Sequence, residues 1–226
     1  MAKKKVAKKD AVVSSIHLVI PKLQQNQVKL RLVGDRPLLV NNKMAAAKRI
    51  SATYDGGKAG KIKSEVLHPD EAYAEAFYTF PSSKLQPPNP KAIYGVPTSG
   101  IKKCADAAIR TTGLTDNTTI GLIGKSFFVL ADEAGLSQIK FKKLVRDIRP
   151  VNIGSGQKTV PSMRHRPMFM DWYIDIDLLY NPLVISTEQL VNLFMHAGAY
   201  IGLCELRAQK KQGECGGFYV KTDPKS

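Results

Sequence analysis

Two neighbouring stretches define the architecture of this chain: Arg149-Pro-Val-Asn-Ile-Gly-Ser-Gly-Gln-Lys-Thr-Val-Pro-Ser-Met-Arg-His-Arg-Pro167 and Trp172-Tyr-Ile-Asp-Ile-Asp-Leu-Leu-Tyr180. The first is basic, contains glycine and proline, and has too few apolar residues to form a core. The second alternates apolar and polar residues, which is typical of a strand with one buried face. The sequence therefore predicts a mobile cationic arm at 149–167 that is anchored on a sheet.

The rest of the chain supplies further strands and two amphipathic helices. Strand-like patterns occur at 28–33, 127–130, 139–148 and 218–221. Apolar residues recur at helical spacing over 98–112, where Ile101, Cys104, Ala105 and Ala108 share one face and Thr98 is the predicted N-cap. A capping box, Ser186-Thr-Glu-Gln189, opens a second predicted helix over 187–201.

The order of these elements indicates the fold class. Without an inserted helical region at 41–97, the order is β-α-β-β-α-β, which predicts an α+β sandwich of the ferredoxin-like or RNA-recognition type. Two helices would cover one face of the sheet and leave the other open. Residues 1–15 are expected to form a disordered basic leader, because they contain few apolar side chains. Residues 16–226 are predicted to form a single domain with insertions at 41–97 and 149–167.

The chain is strongly basic: 34 Lys and Arg residues against 19 Asp and Glu residues give a net charge of +15. Residues 1–10 hold five lysines and one aspartate and account for +4, so most of the excess lies in the rest of the chain. Such an excess favours a polyanionic partner, through counterion release from nucleic acid or attraction to an anionic surface. A basic protein without such a partner is the plain alternative.

The composition argues against a membrane protein. No run approaches the roughly 18 apolar residues that a membrane helix needs, and the apolar residues after the basic start are too few for a signal peptide. Three cysteines, Cys104, Cys204 and Cys215, form an odd set without metal-type spacing. This pattern favours free thiols in a reducing compartment, so we expect a cytoplasmic protein with no membrane partner.

The arm supplies the first candidate binding residues, Arg149, Lys158, Arg164, His165 and Arg166. Glycine lets a backbone approach a phosphate closely, and arginine grips a phosphate with a planar fork. Contacts of this kind hold a nucleic acid without reading its sequence. A ring such as Tyr173, Phe218 or Tyr219 could also stack on a base, although core packing is the commoner use of an aromatic side chain.

Catalytic patterns are weak in this sequence. Asp175 and Asp177 share one face of a predicted strand and could hold Mg²⁺ in a nuclease, but a solvated face or salt bridges to the arm are simpler uses. The four histidines are scattered, and neither a zinc-binding spacing nor a nucleophile paired with a base stands out. We therefore predict no enzyme activity, no metal and no cofactor.

Several blocks resemble a family of tailed-bacteriophage proteins of mostly unassigned function. The blocks are Arg31-Leu-Val-Gly-Asp-Arg-Pro-Leu-Leu-Val40, Gly95-Val-Pro97, Asp147-Ile-Arg149, the 166–172 junction and, most specifically, 180–207. Together they span most of residues 28–221. The resemblance implies a bacteriophage protein that acts in the host cytoplasm.

The order of elements also resembles the RAMP superfamily, whose CRISPR backbone subunits coat a guide RNA with a modified RNA-recognition fold. In that family a basic thumb before a core strand and a loop after the first strand contact the nucleic-acid backbone. The thumb corresponds to 149–167. The loop corresponds to 42–49, which adds Lys43, Lys48 and Arg49 to the candidate binding residues. A glycine-rich loop near the end of the family's fold corresponds to 213–217.

These observations predict a non-catalytic protein that binds single-stranded nucleic acid, DNA or RNA, in phage replication or recombination. Copies could assemble along the strand as a homo-oligomer or filament. The central expectation is that the cations form a continuous track for a phosphate chain. A phage structural or assembly protein, whose basic face meets packaged DNA or an acidic partner, is the alternative.

Overall fold

The computed structural model of the protein describes residues 22–44, 68–153, 160–210 and 213–221. Within these ranges it is an α+β protein with antiparallel sheets. The strands are β1 Asn26–Gly34, β2 Leu38–Leu39, β3 Tyr94–Pro97, β4 Phe127–Leu130, β5 Leu136–Ile139, β6 Lys143–Ile153, β7 Val160–Met170, β8 Tyr173–Tyr180 and β9 Phe218–Lys221. The helices are α1 Pro69–Glu75, α2 Thr98–Ile109, α3 Asn117–Lys125 and α4 Thr187–His196.

The central sheet has the strand order β4-β8-β1-β9, and every neighbouring pair is antiparallel. Leu32 lies opposite Ile174 on β8 and opposite Val220 on β9. Because the side chains of a strand alternate between faces, this register gathers the apolar residues of all three strands on the same side. The alternation that predicted 28–33, 172–180 and 218–221 as strands is confirmed.

Helices α2 and α4 cover this apolar face and contact each other. Helix α2 buries Ile101 and Ala105, and α4 buries Leu190 and Phe194. The rings of Phe127 on β4 and Phe194 lie 6.2 Å apart between centroids. The two amphipathic helices therefore close a core against one side of the sheet, as their spacing predicts.

The opposite face of the central sheet is exposed. Its solvent-facing side chains are Lys29, Arg31, Phe128, Leu130, Tyr219 and Lys221. On this face Lys29 is opposite Asp177, and Arg31 is opposite Asp175. Charged and aromatic side chains therefore share the surface that the described helices leave uncovered.

The segment expected to be an irregular arm is instead the outer part of a long β-hairpin. Strands β6 and β7 pair antiparallel and form a second sheet with β2, in the order β2-β7-β6. The prediction relied on the local content of glycine and proline, but pairing between distant residues overrides such local preferences. Pro150 is compatible with β6 because β6 is the edge of its sheet, where proline is tolerated.

The base of the hairpin is packed into the core. The ring of Phe169 on β7 is buried, with centroids 6.2 Å from Phe77, 5.7 Å from Tyr94 and 4.8 Å from Phe141. Helix α1 also packs on β7. The hairpin is therefore anchored at its base by packed side chains of the core and does not extend from a loop.

Trp172 joins the hairpin to the central sheet. Its buried indole Nε1 donates a hydrogen bond to the carbonyl of Arg36 at 2.7 Å. The ring also lies so close to β1 that a Cβ on Gly34 would come within 2.2 Å of Nε1. Any larger residue at position 34 would displace the tryptophan, so this contact fixes the two sheets relative to each other.

Two details of the predicted helices differ in the structure. Thr98 is the first residue of α2 rather than its N-cap, and its hydroxyl forms a hydrogen bond with that of Ser137 at 3.0 Å. The capping box of α4 is confirmed, but the α-helix ends at His196 and continues as a π-helical turn, Ala197–Ile201. Gly198 in that turn allows β9 to approach, since a Cβ there would lie 1.8 Å from the carbonyl oxygen of Phe218.

Candidate nucleic-acid interface

The register of β6 with β7 determines which of the predicted binding residues lie on the same face of the hairpin. Arg149 lies opposite Arg164, and Arg166 shares their face two residues further along β7. His165 points to the other face of the hairpin, where its Nδ1 accepts a hydrogen bond from Arg146 Nε at 3.1 Å. The hairpin therefore brings three of the predicted arm residues together and separates His165 from them.

Arg166 is the anchor of this face. Its side chain is only 4% exposed, and it donates to Asp147 at 2.9 Å and to Glu205 at 2.7 Å. A buried guanidinium is tolerated when carboxylates and hydrogen bonds compensate its charge in this way. Arg166 therefore holds the base of the hairpin and does not face solvent.

Arg149 is paired at the surface. Its Nε donates to Asp147 at 2.8 Å and its Nη1 donates to Glu214 at 2.6 Å. These hydrogen bonds to Glu214 and Asp147 raise the pKa of Arg149 further above its ordinary value. The expected continuous track of free cations is therefore interrupted, because neighbouring carboxylates neutralise both Arg149 and Arg166.

Arg164 and Lys43 are two exposed cations of this region. Arg164 makes no hydrogen bond with the described residues, and its charge helps to lower the pKa of Glu205. Lys43 is 74% exposed, with its Nζ 4.0 Å from Glu205 Oε1. Burial disfavours the ionised form of Glu205, but hydrogen bonds from Arg166 and Asn41 outweigh it and lower the pKa. Glu205 thus lies between the buried cation Arg166 and the exposed cations Lys43 and Arg164.

Glu205 also lines an open cleft of about 260 Å³ beside the base of the hairpin, together with Arg207 and Lys210. We call the linked charged residues the hairpin-base cluster. Its members are Lys43, Arg149, Arg164, Arg166, Arg207, Lys210, Asp147, Glu205 and Glu214. Six positive and three negative side chains leave the cluster with a surplus charge of +3.

The loop that carries Glu205 has an unusual backbone. Cys204 and Leu206 adopt φ values of +60° and +52°, in the left-handed region that side-chain-bearing residues rarely occupy. Such conformations cost about 1–3 kcal/mol each and are common at functional sites. Between the two strained residues, the Glu205 N–H donates to the carbonyl of Leu39 at 3.0 Å. The fold therefore imposes strain at the position that presents Glu205 to the cluster.

The glycine-rich segment 213–217 packs this strained loop in place. Gly216 has φ +73°, and a Cβ there would lie 1.9 Å from the carbonyl oxygen of Leu203. A Cβ on Gly217 would lie 2.1 Å from Arg36 Nε. Both glycines are buried. They are therefore used for close contact within the protein.

The two aspartates of β8 lie on the exposed face of the central sheet, with cations beside them. Asp175 accepts from Arg31 Nε at 2.6 Å and from Lys140 Nζ at 3.2 Å, and Lys29 Nζ is 3.8 Å from Asp177. Burial opposes ionisation of Asp175, but the hydrogen bonds from Arg31 and Lys140 outweigh it and lower the pKa. Asp175 and Asp177 therefore form salt bridges with Arg31, Lys140 and Lys29. These partners lie outside the arm, which was the predicted partner.

Metal-binding and thiol chemistry find little support in the described part of the chain. Within it, no group of three or more His, Cys, Asp or Glu side chains is placed to hold a metal ion. Burial raises the pKa of Cys104 and of Cys204 to about 12, which disfavours the reactive thiolate. Cys104 is therefore a buried small side chain, and Cys204 is a partly buried one.

A second open feature lies at the β4 edge of the central sheet. This β4-edge groove has a volume of about 140 Å³ and is lined by the exposed side chains of Leu23, Leu122 and Phe128, among others. Leu183 is exposed beside Val184, which also lines the groove. Adjacent exposed apolar side chains are typical of a surface that contacts another protein.

Sequence reasoning missed several members of the hairpin-base cluster: Asp147, Arg207, Lys210, Glu205 and Glu214. The block 202–207 stood out in the sequence, but no pattern connected it to the hairpin, because the contact joins residues 39 positions apart. Three predicted residues, Lys48, Arg49 and Lys158, lie outside the described residues, so their roles stay predictions.

No protein-family model matches this chain, and no curated protein sequence matches it. Among the residues that the structure describes, no helix is long and apolar enough to cross a membrane. The function therefore has to be inferred from the geometry of the site.

Proposed function

We propose that this protein binds single-stranded nucleic acid and catalyses no reaction on it. The observation that carries the proposal is the hairpin-base cluster, in which three carboxylates hold arginines in place and a surplus charge of +3 remains on one surface. Surplus charge of this kind attracts a phosphate chain and gains free energy from the release of counterions.

The members of the cluster have different tasks in this proposal. Arg166 and Asp147 are buried and fix the geometry of the hairpin base. Lys43, Arg164 and Lys210 are exposed and contact phosphates. Arg149 is intermediate, since its partner Glu214 is 55% exposed and can be replaced by a phosphate oxygen. Binding therefore uses exposed cations that surround a hairpin base of fixed geometry.

A single strand is the favoured ligand because aromatic rings lie on the exposed sheet face. Tyr219 is 44% exposed, and Tyr173 is flanked by Arg31 at 4.6 Å and Lys140 at 5.4 Å from its ring centroid. Unpaired bases stack on such rings, whereas the bases of a duplex are enclosed within their own stack.

We infer further that the fold is ferredoxin-like. The support is the chain order β1-α2-β4-β8-α4-β9, the antiparallel strand order β4-β8-β1-β9, and the packing of α2 and α4 on one face. The hairpin directly before β8 supports the proposed relation to the RAMP superfamily, whose thumb occupies that place. A phage origin and a role in replication or recombination are proposed from the sequence blocks alone.

Fluorescence anisotropy with labelled oligo-dT and oligo-U tests the proposal. We expect binding that weakens steeply with salt, and we expect Arg164→Ala to reduce the slope of log affinity on log salt by about 0.7. Arg110→Ala is the matched control, because it removes the same charge at the far end of α2, about 15 Å from the cleft residue Gly100. Absence of binding to both oligonucleotides at low salt would refute the proposal.

The β4-edge groove favours a second candidate, a structural or assembly protein that uses protein contacts. In that case sedimentation should show oligomers without nucleic acid, and Phe128→Ser should dissociate them by removing an exposed ring from the groove. A purely monomeric protein that binds oligonucleotides would exclude this candidate.

A further inference from the structure

The cleft beside the hairpin base has an apolar floor as well as a charged rim. Val96, Ile101 and Leu203 line it and are buried, and the half-buried ring of Tyr78 lies at its side. Apolar walls with a few polar groups at one edge are typical of a site for a small ring-bearing group. Phosphate binding alone would not need such a floor.

The rim of the cleft favours an anion. Lys43, Arg207 and Lys210 line it, and Glu205 is the one carboxylate among its lining residues. That carboxylate already accepts hydrogen bonds from Arg166 and Asn41, so its charge is compensated from within the protein. Lys43 and Lys210 at the rim are exposed to a ligand, and Arg207 adds its positive charge beside them.

The rim is also held in place. Arg207 donates to the carbonyl of Cys204 at 3.3 Å and to the side chain of Gln209 at 3.1 Å. The left-handed residues Cys204 and Leu206 belong to the same loop. A rim whose backbone and guanidinium are both fixed loses little conformational entropy on binding.

We propose that the cleft binds one unpaired nucleotide of the strand, with the base on the apolar floor beside Tyr78 and its phosphate at the cationic rim. This inference rests on the proposed function. The volume of about 260 Å³ lies just below the range of drug-sized pockets, which suits a group of the size of one base. An acidic peptide would satisfy the rim but leave the apolar floor uncovered.

Gly100 offers a way to fill the cleft without changing any charge. It lines the cleft, and a Cβ at this position would have no heavy atom within 4 Å. Leucine is also a better helix former than glycine, so Gly100→Leu in α2 should not destabilise the fold. Gly121→Leu is the matched control, because Gly121 in α3 is equally open and does not line the cleft.

The test compares a base-bearing oligonucleotide with an abasic strand that carries the same number of phosphates. The wild-type protein should bind the base-bearing strand more tightly, by about tenfold for one buried base. Gly100→Leu should reduce this ratio several-fold and leave the affinity for the abasic strand within about twofold, while Gly121→Leu should preserve both affinities. Thermal melting of each variant confirms that it is folded.

The outcomes separate this inference from the proposed function. If Gly100→Leu leaves both affinities unchanged while the wild-type protein binds both strands, the nucleotide site is wrong and the proposed function stands. An equal loss for both strands would show that the cleft receives phosphate only, which also overturns the inference. Competition by polyglutamate as strong as that by the oligonucleotide would assign the cleft to an acidic peptide. Binding of neither strand would remove the proposed function itself.

Discussion

The hairpin-base cluster and the exposed face of the central sheet both pair arginines with aspartates across neighbouring strands. In the cluster the shared carboxylate, Asp147, is 6% exposed and serves two arginines. On the sheet face Asp175 is 23% exposed and is shared by Arg31 and Lys140. The chemistry is the same, but the degree of burial differs.

This difference separates structural from surface charge. Buried carboxylates are costly to leave unpaired, so they fix the arginines around them and keep their geometry as salt concentration changes. Exposed pairs contribute little to stability and are screened by salt. We therefore expect the cluster to act as a rigid cationic platform and the sheet face to act as an adaptable surface.

Matched alanine substitutions should give the largest contrast between the two regions. Asp147→Ala leaves the buried Arg166 with one carboxylate instead of two and should lower the free energy of unfolding by about 3 kcal/mol. Asp175→Ala should lower it by no more than about 1 kcal/mol. Urea denaturation of both variants measures the difference. Similar losses in the two variants would show that burial does not distinguish the regions.

A second contrast concerns affinity for nucleic acid. Glu214→Gln removes the exposed carboxylate that competes with phosphate for Arg149, so it should strengthen oligonucleotide binding and raise the salt slope by about 0.7. Asp177→Asn on the sheet face is the control, because it removes one negative charge beside Lys29 outside the cluster. An increase of equal size in both variants would indicate a response to net charge alone.

The smallest expected effect is the response to acid. The pKa of Glu205 is lowered in the folded protein from an ordinary value of 4.5, so its contribution to stability is complete above that value and is lost as the pH falls through the lowered one. Glu205→Gln should therefore reduce the loss of stability between about pH 5 and pH 3. Asp175→Asn should also reduce the loss of stability in acid, since the pKa of Asp175 is lowered in the folded protein too.

Chemical denaturation across this pH range, at low and high salt, provides the measurement. The effect of Asp175→Asn should diminish at high salt, because its partners Arg31 and Lys140 are both 45% exposed and ion pairs with exposed partners are screened. The effect of Glu205→Gln should persist, because its partner Arg166 is only 4% exposed. The reverse dependence would contradict the assignment of Glu205 to a protected network.

The local patterns of the sequence predicted the central sheet and its helices well. Alternation placed Leu32 and Ile174 on the buried face, and helical spacing placed Ile101 in the core. The hairpin was missed because its stability comes from pairing 11 residues of β6 with β7, which local composition does not reveal. Thr98 was misplaced by one position, since proline rather than threonine occupies the N-cap of α2.

The candidate site was predictable only in part. Basic residues on the arm identified Arg149, Arg164 and Arg166, but the sequence does not show that Asp147 lies opposite Arg166 or that Glu205 reaches the same guanidinium. Those contacts depend on strand register and on a loop far along the chain. Residue type therefore indicated charge, and only the fold distinguished anchored cations from exposed ones.

The salt dependence of oligonucleotide binding in two double variants tests the central claim most directly. Arg164→Ala/Lys210→Ala removes two exposed cations of the cluster, and Lys29→Ala/Lys221→Ala removes two from the sheet face. We predict that the slope of log affinity on log salt falls by about 1.4 in the first variant and stays close to the wild-type value in the second. An equal fall in both variants, or a larger fall in the second, would contradict the assignment of the phosphate contacts to the base of the hairpin.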